Sequence, residues 1–118
     1  MRQSPEGFLP LKPVVFHVLL ALADEPLHGY GVVRAVRESS GQVIRLETGA
    51  FYRHLRKLLQ DRLVEEAATP AGEDADPRRG AHYQLTELGR GVLRAESRRL
   101  ASIVDVTREM GLLDGSTS

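Results

Sequence analysis

The chain contains no cysteine, which excludes disulfides and thiolate metal sites. It has no tryptophan, and aromatic residues make up only 5% of it. No apolar run approaches the roughly 20 residues needed to cross a bilayer. Neither a membrane anchor nor a secretory signal is therefore expected, and the chain reads as cytoplasmic. Charge of one sign is also missing: 16 Lys and Arg balance 16 Asp and Glu. Without a global pull toward a polyanion, any basic partner surface has to be local. What remains is 118 residues, 42% of them hydrophobic and 27% charged, which fits one compact domain with room for one protruding element. The distribution of charge along the chain is then the informative quantity.

From Val14 to Ala23 the segment LKPVVFHVLLALADEP is apolar nearly all round and is closed by Asp24, Glu25 and Pro26, which predicts a short buried helix. LHGYGVVRAVRESSG puts Val32, Val33 and Val36 on one stripe, turns Arg34, Arg37 and Glu38 outward, and stops at Gly41, a natural left-handed C-terminal residue. QVIRL is short and β-branched and reads as a brief strand, after which Thr48 offers an N-cap for a third helix running to about Asp61. LVEEAAT and AHYQL are strand-like. Between them PAGEDADPRRG, dense in Pro, Gly and Asp, reads as a long hairpin tip. Thr86 can cap a long last helix, and residues 114–118 (DGSTS) read as a disordered tail. The expected class is mainly α with a small β-hairpin. Residues 1–85 would form a winged helix-turn-helix domain and residues 86–113 a C-terminal dimerisation helix.

In a winged helix-turn-helix the third helix is the one presented to the DNA major groove. Here that helix begins TGAFYRHLRKL. At helical spacing Phe51, Leu55, Leu58 and Leu59 share one face while Arg53, Arg56, Lys57 and Gln60 occupy the other. Thr48, Gly49 and Ala50 keep the helix start slim, so that its backbone N–H groups and positive dipole end can approach a phosphate. Tyr52 lies at the boundary of the two faces, where its ring could pack and its hydroxyl donate to a phosphate. A solvated helix face is the plainer reading of these cations, but the slim start and the adjoining hairpin favour DNA. In the hairpin tip Arg78 and Arg79 are candidate phosphate contacts, whereas Glu73, Asp74 and Asp76 would be repelled.

Three stretches together resemble the PadR family of bacterial transcriptional regulators: ALADEPLHGYGVVRAV, GAFYRHLRKLLQDRLVE and RRGAHYQLTELGRGVL. The resemblance implies a winged-helix homodimer whose C-terminal helix makes the dimer contact, with the single such helix of the short subfamily. It also implies a DNA-binding regulator, a repressor by expectation. The departure at Ala50 and Phe51, where the family carries Thr-Leu, removes a hydroxyl and keeps the tyrosine.

Leu93, Leu100, Ile103, Thr107 and Met110 fall on a heptad-like stripe interrupted by Glu96, while Leu88, Val92 and Ala95 can face the winged domain. Self-association through that stripe would set two third helices about 34 Å apart, one turn of B-DNA, to read a palindromic operator. A pocket between the winged domain and the last helix could take a small-molecule effector, although no aromatic cluster in that helix marks one. His17, His28, His54 and His82 lack the spacing of a metal site, and no nucleophile, base and orienting group come together, so neither cofactor nor enzyme activity is expected. His28, at the start of the second helix, is a candidate phosphate contact. The reading from another class is a winged helix that has lost DNA binding and engages a protein, motivated by the zero net charge and the acidic hairpin tip.

Overall fold

The computed structural model describes residues 4–68 and 80–113. The hairpin tip with Arg78 and Arg79, and the 114–118 tail, lie outside the described residues. A 3-10 turn at Pro5–Phe8 leads into α1 (Pro13–Ala21), β1 (Leu27–His28), α2 (Gly29–Ser39), α3 (Thr48–Gln60), β2 (Val64–Ala67), β3 (His82–Leu85) and α4 (Glu87–Glu109). The three strands make one antiparallel sheet in the order β1-β3-β2, with His28 opposite His82 and Val64 opposite Leu85. The protein is mostly helical, a winged helix followed by a long last helix.

The core follows from the apolar stripes. Val18, Leu19 and Leu22 from α1, Val32 and Val36 from α2, and Phe51, Leu55 and Leu58 from α3 are buried around Leu63, Val64, Leu85 and Val92. Each such side chain contributes about 1.5–3 kcal/mol on leaving water. Only part of α1 is fully enclosed, because Leu20 points outward.

Two expectations about the approach to α3 are corrected. QVIRL is not a strand: Val43 is exposed, and Ser40 Oγ takes the Ile44 N–H at 2.9 Å, so a side chain satisfies backbone that a ladder would have paired. The short strand that completes the sheet is instead β1, where Leu27 and His28 lie against β3. Nor does Thr48 cap α3. Glu47 occupies the cap position with extended backbone and makes no side-chain cap bond, leaving Thr48 as the first helical residue. Gly41 does adopt the left-handed conformation, φ 63°, after α2, and Gln42 follows it at φ 70°.

α4 is fastened at two places. At its start Thr86 caps as expected, its Oγ1 accepting the Gly89 N–H (2.9 Å) and donating to the Arg62 carbonyl (2.6 Å), while Thr86 N–H donates to the Leu63 carbonyl at 3.1 Å. Gly89 presses so closely on Leu63 that a Cβ there would overlap the Leu63 carbonyl. Two turns on, Glu96 is not the exposed interruption of a stripe but is buried, 1% exposed. Its carboxylate accepts the Leu11 N–H (2.9 Å) and both Arg99 donors, Nε at 2.5 Å and Nη2 at 3.0 Å. Leu93 is likewise corrected: at 7% exposure it is enclosed in the core and is not available to a partner. The first half of α4 is turned inward because the 3-10 turn and α1 lie against it.

The Arg99 hydrogen bond, aided by Leu11 N–H and opposed by burial, holds the Glu96 carboxyl below the usual carboxylate range. Its stabilisation is complete above the unfolded value of about 4.3 and is lost as pH falls through the lower folded value. Glu96→Gln should therefore flatten the decline of unfolding free energy below about pH 5 that the wild type shows, and Glu96→Ala should destabilise by about 1–3 kcal/mol at neutral pH by orphaning the Leu11 N–H. Urea denaturation across pH checks both; a Gln variant with the wild-type acid profile would contradict the assignment.

Candidate nucleic-acid interface

α3 carries its two chemistries on opposite sides. Phe51, Leu55 and Leu58 are buried, and Arg53, Arg56 and Lys57 are exposed. Leu59, expected on the packed face, is more than a third exposed, since it sits at the edge of that face near the helix end. Lys57 pairs with Asp61 at 3.3 Å. Among the described residues Arg53 and Arg56 have no ion-pair partner. His54 lies half-buried between them. Burial first, then Lys12 and Arg53, push its pKa below the ordinary value.

The helix start is as slim as its sequence implies: nothing lies within 4 Å of where a Gly49 side chain would begin, and Thr48 and Gly49 are exposed while Ala50 is partly covered. Tyr52 is 46% exposed and sits edge-on to Phe51, ring centroids 5.0 Å apart. Its hydroxyl lies 3.0 Å from where a Cβ on Gly29 would stand, and Phe51 Cε2 lies 3.1 Å from the same point. Gly29 thus lets the start of α2 close on the start of α3. Tyr83 on β3 joins this junction: burial, then Tyr52, then Glu66, raise its pKa. The start of α2 and the start of α3 therefore meet at Tyr52.

His28 caps α2, its Nδ1 accepting the Gly31 N–H at 3.1 Å, which assigns the ring proton to Nε2. The ring stacks on Tyr30 and meets His82 edge-on. Among the candidate residues, the structure therefore brings together His28, Thr48, Gly49, Ala50 and Tyr52 where α2 and α3 begin, with Arg53, Arg56 and Lys57 following on α3. Sequence reasoning missed Gly29, Tyr30 and Arg45. Tyr30 is 72% exposed beside His28, and Arg45 precedes α3 on the same side. Reading QVIRL as a strand hid Arg45; the signal was its place three residues before the helix start.

No group of three or more His, Cys, Asp or Glu side chains able to hold a metal ion occurs among the described residues. No described helix is long and apolar enough to cross a membrane.

The sequence profile of the transcriptional regulator PadR-like family matches residues 18–95. The chain belongs to this family. That range runs from α1 through the sheet into the first turns of α4, so it contains the whole α2, α3 and Tyr52 junction. PadR-like proteins are transcription regulators, not enzymes. Similar solved structures include a PadR family transcription regulator from Clostridium difficile (TM-score 0.67, 19% identity, 84% of this chain and 98% of that one). A PadR-like regulator from Bacillus cereus is similar at TM-score 0.68 and 14% identity, covering 92% of this chain and 96% of that one. Bacillus subtilis PadR, solved in complex with operator DNA, matches at TM-score 0.57 and 23% identity over 71% of this chain and 47% of that one. A curated relative, an uncharacterised 37.1 kDa protein in transposon TN4556 of Streptomyces fradiae, is 37% identical over 86 residues, which is 73% of this chain. The chain spans 22% of that protein's length.

Because Phe51 is enclosed and cannot retreat, Gly29→Ala should push α2 away from α3. The expected cost is about 1–3 kcal/mol, read as a lowered urea midpoint with unchanged slope, together with altered Tyr52 and Tyr83 ring signals in NMR. Wild-type stability with unmoved rings would contradict the close approach.

Proposed function

We propose that this PadR-like chain is a sequence-specific DNA-binding repressor, acting as a homodimer on a palindromic operator. α3 enters the major groove with Arg53 and Arg56 toward base edges and Lys57 toward the backbone. The observation that carries the reading is a pair of arginines, without an ion-pair partner among the described residues, on the exposed face of a helix whose opposite face is locked into the core. Guanidinium forks match guanine O6 and N7, whereas the exposed backbone N–H groups near Thr48, Gly49 and Ala50, the Tyr52 hydroxyl and His28 suit phosphates. Arg78 and Arg79 belong to the same reading as phosphate contacts from the wing. The operator complex of Bacillus subtilis PadR supports it by fold.

The dimer surface is the second half of α4. Ile103, Val104, Val106 and Met110 are exposed there, with Leu100 and Thr107 partly covered. An apolar helix face of this extent in water favours a partner, and a second copy places two α3 helices symmetrically. Leu100, Ile103, Thr107 and Met110 form the contact; Leu93 does not. Release by a small-molecule effector acting between the winged domain and α4 completes the regulatory cycle.

Two experiments test this. Arg53→Ala should lower affinity for a duplex selected from a randomised pool by about 1–3 kcal/mol and relax preference at one position per half-site. Tyr52→Phe should weaken selected and scrambled duplexes by similar factors. Wild-type binding by Arg53→Ala, measured by fluorescence anisotropy, together with intact binding after charge reversal at Arg53, Arg56 and Lys57, would leave these cations a solvated face. Separately, Leu100→Glu with Ile103→Glu should give a folded monomer in light scattering with operator affinity greatly reduced. A dimeric double variant would move the contact elsewhere.

A further inference from the structure

His54 is the one side chain of α3 whose ordinary titration range lies near neutral pH. It is half-buried, with Arg53 beside it in the chain and Lys57 one turn further on. Lys12 faces the same ring from the segment ahead of α1. Among the described residues no acid forms an ion pair with His54. The acids on this side are remote or engaged: Asp61, two turns on, pairs with Lys57 at 3.3 Å, and Glu47 stands two turns back at the helix cap. Glu96, which takes the Leu11 N–H, is held by Arg99. His17 of α1 is directed to α2, its Nδ1 lying 2.6 Å from Ser39 Oγ.

Burial, then Lys12, then Arg53, raise the cost of a positive charge on this ring, so it releases its proton more readily than an ordinary histidine. Burial is the largest of these causes, but it belongs to the folded chain and is in place before any partner arrives. The charges are different, because a partner can change them. A duplex carries one negative charge per ~1.7 Å of its axis. Laid along the face that holds Arg53, it offsets the cations around His54 and adds an attraction for a positive ring. The imidazolium that the free protein disfavours is thereby stabilised in the complex.

We propose that DNA binding through α3 takes up a proton at His54, so that affinity for a duplex rises as the solution becomes more acidic. The proposal rests on the DNA reading above and adds a regulation of that same surface. The sign follows from linkage. A group that holds its proton more tightly in the complex strengthens binding as pH falls from its bound value to its free value, and leaves affinity constant outside that window. Within the window each protomer contributes up to about tenfold per pH unit. His28 acts in the opposite sense: its Nδ1 accepts the Gly31 N–H at 3.1 Å, so a proton there would break the cap of α2 and loosen the helix start that closes on Tyr52.

The test compares full-length wild type with His54→Gln on a duplex selected by the wild type from a randomised pool, by anisotropy between about pH 8 and about pH 5.5. Glu96 stays ionised throughout this range. Wild-type affinity should rise several-fold toward the acid end, whereas that of His54→Gln should stay flat or fall. In the wild type itself, the His54 ring signals in NMR should titrate at higher pH with the duplex than without it, a readout independent of how the variant folds. Raising the salt concentration should shrink both effects. A pH profile shared by wild type and His54→Gln, or His54 signals that titrate alike free and bound, would overturn the coupling. If Arg53→Ala still weakens the selected duplex in that case, the DNA reading stands without it. A wild type that enriches no duplex overturns both readings.

Discussion

The close approach of Gly89 to the Leu63 carbonyl is the constraint on which the arrangement of the molecule depends. Leu63 follows directly on the turn that ends α3, and Gly89 lies in the first turn of α4, so this contact sets the start of α4 against the segment leaving α3 with no side chain between them. Thr86 reinforces it, since one hydroxyl both caps α4 and donates to the Arg62 carbonyl. A methyl group at position 89 would meet backbone, which cannot swing aside as a flexible side chain can. The buried Glu96 then fixes α4 a second time, against Leu11 ahead of α1. With two fastenings along its first half, the direction in which α4 leaves the winged helix is determined, and so is the position that a symmetric partner bound to its second half would give to the other α3.

A second close approach, at Gly29, organises the opposite end of α3. There Phe51 is the anchor and Tyr52 the junction piece, both approached by the start of α2 at Gly29. The outcome is a rigid seat for a cationic face in a chain with no net charge. Burial, Lys12 and Arg53 disfavour charge on His54, and Lys57 is paired with Asp61, whereas Arg53 and Arg56 have no ion-pair partner among the described residues. A local cluster of exposed arginines allows attraction to a polyanion in a chain with no net charge.

The helical elements were legible because their signals are local. The stripe of Val32 and Val36, the two-faced pattern of α3 and the Thr86 cap each depend on residues a few positions apart, and each has its expected place. The misreadings arise where distant residues decide. Leu27 and His28 form a strand because β3 lies beside them, which no local alternation announces; QVIRL is β-branched but Ser40 takes the hydrogen bond a neighbouring strand would have supplied. Leu93 and Glu96 lie in a stripe that periodicity alone cannot divide into a part facing its own domain and a part facing outward. The 3-10 turn and Leu11 make that division, and they come from the other end of the chain. Gly29 and Gly89 were unremarkable in sequence because a glycine's need for close approach is a property of what approaches it.

The absence of cysteine makes the central claim directly measurable. A single cysteine introduced at Gln60, exposed on the polar face of α3, can carry a DNA-cleaving reagent while the rest of the chain, which has no other thiol, stays unreactive. With the selected duplex, the account predicts cleavage in two clusters about 10 base pairs apart, one per half-site, and offset as expected for the major groove. The same reagent at Arg98, on an exposed position of α4, should cut little. Uniform cleavage along the duplex, or stronger cutting from α4 than from α3, would contradict the assignment of α3 as the reading helix.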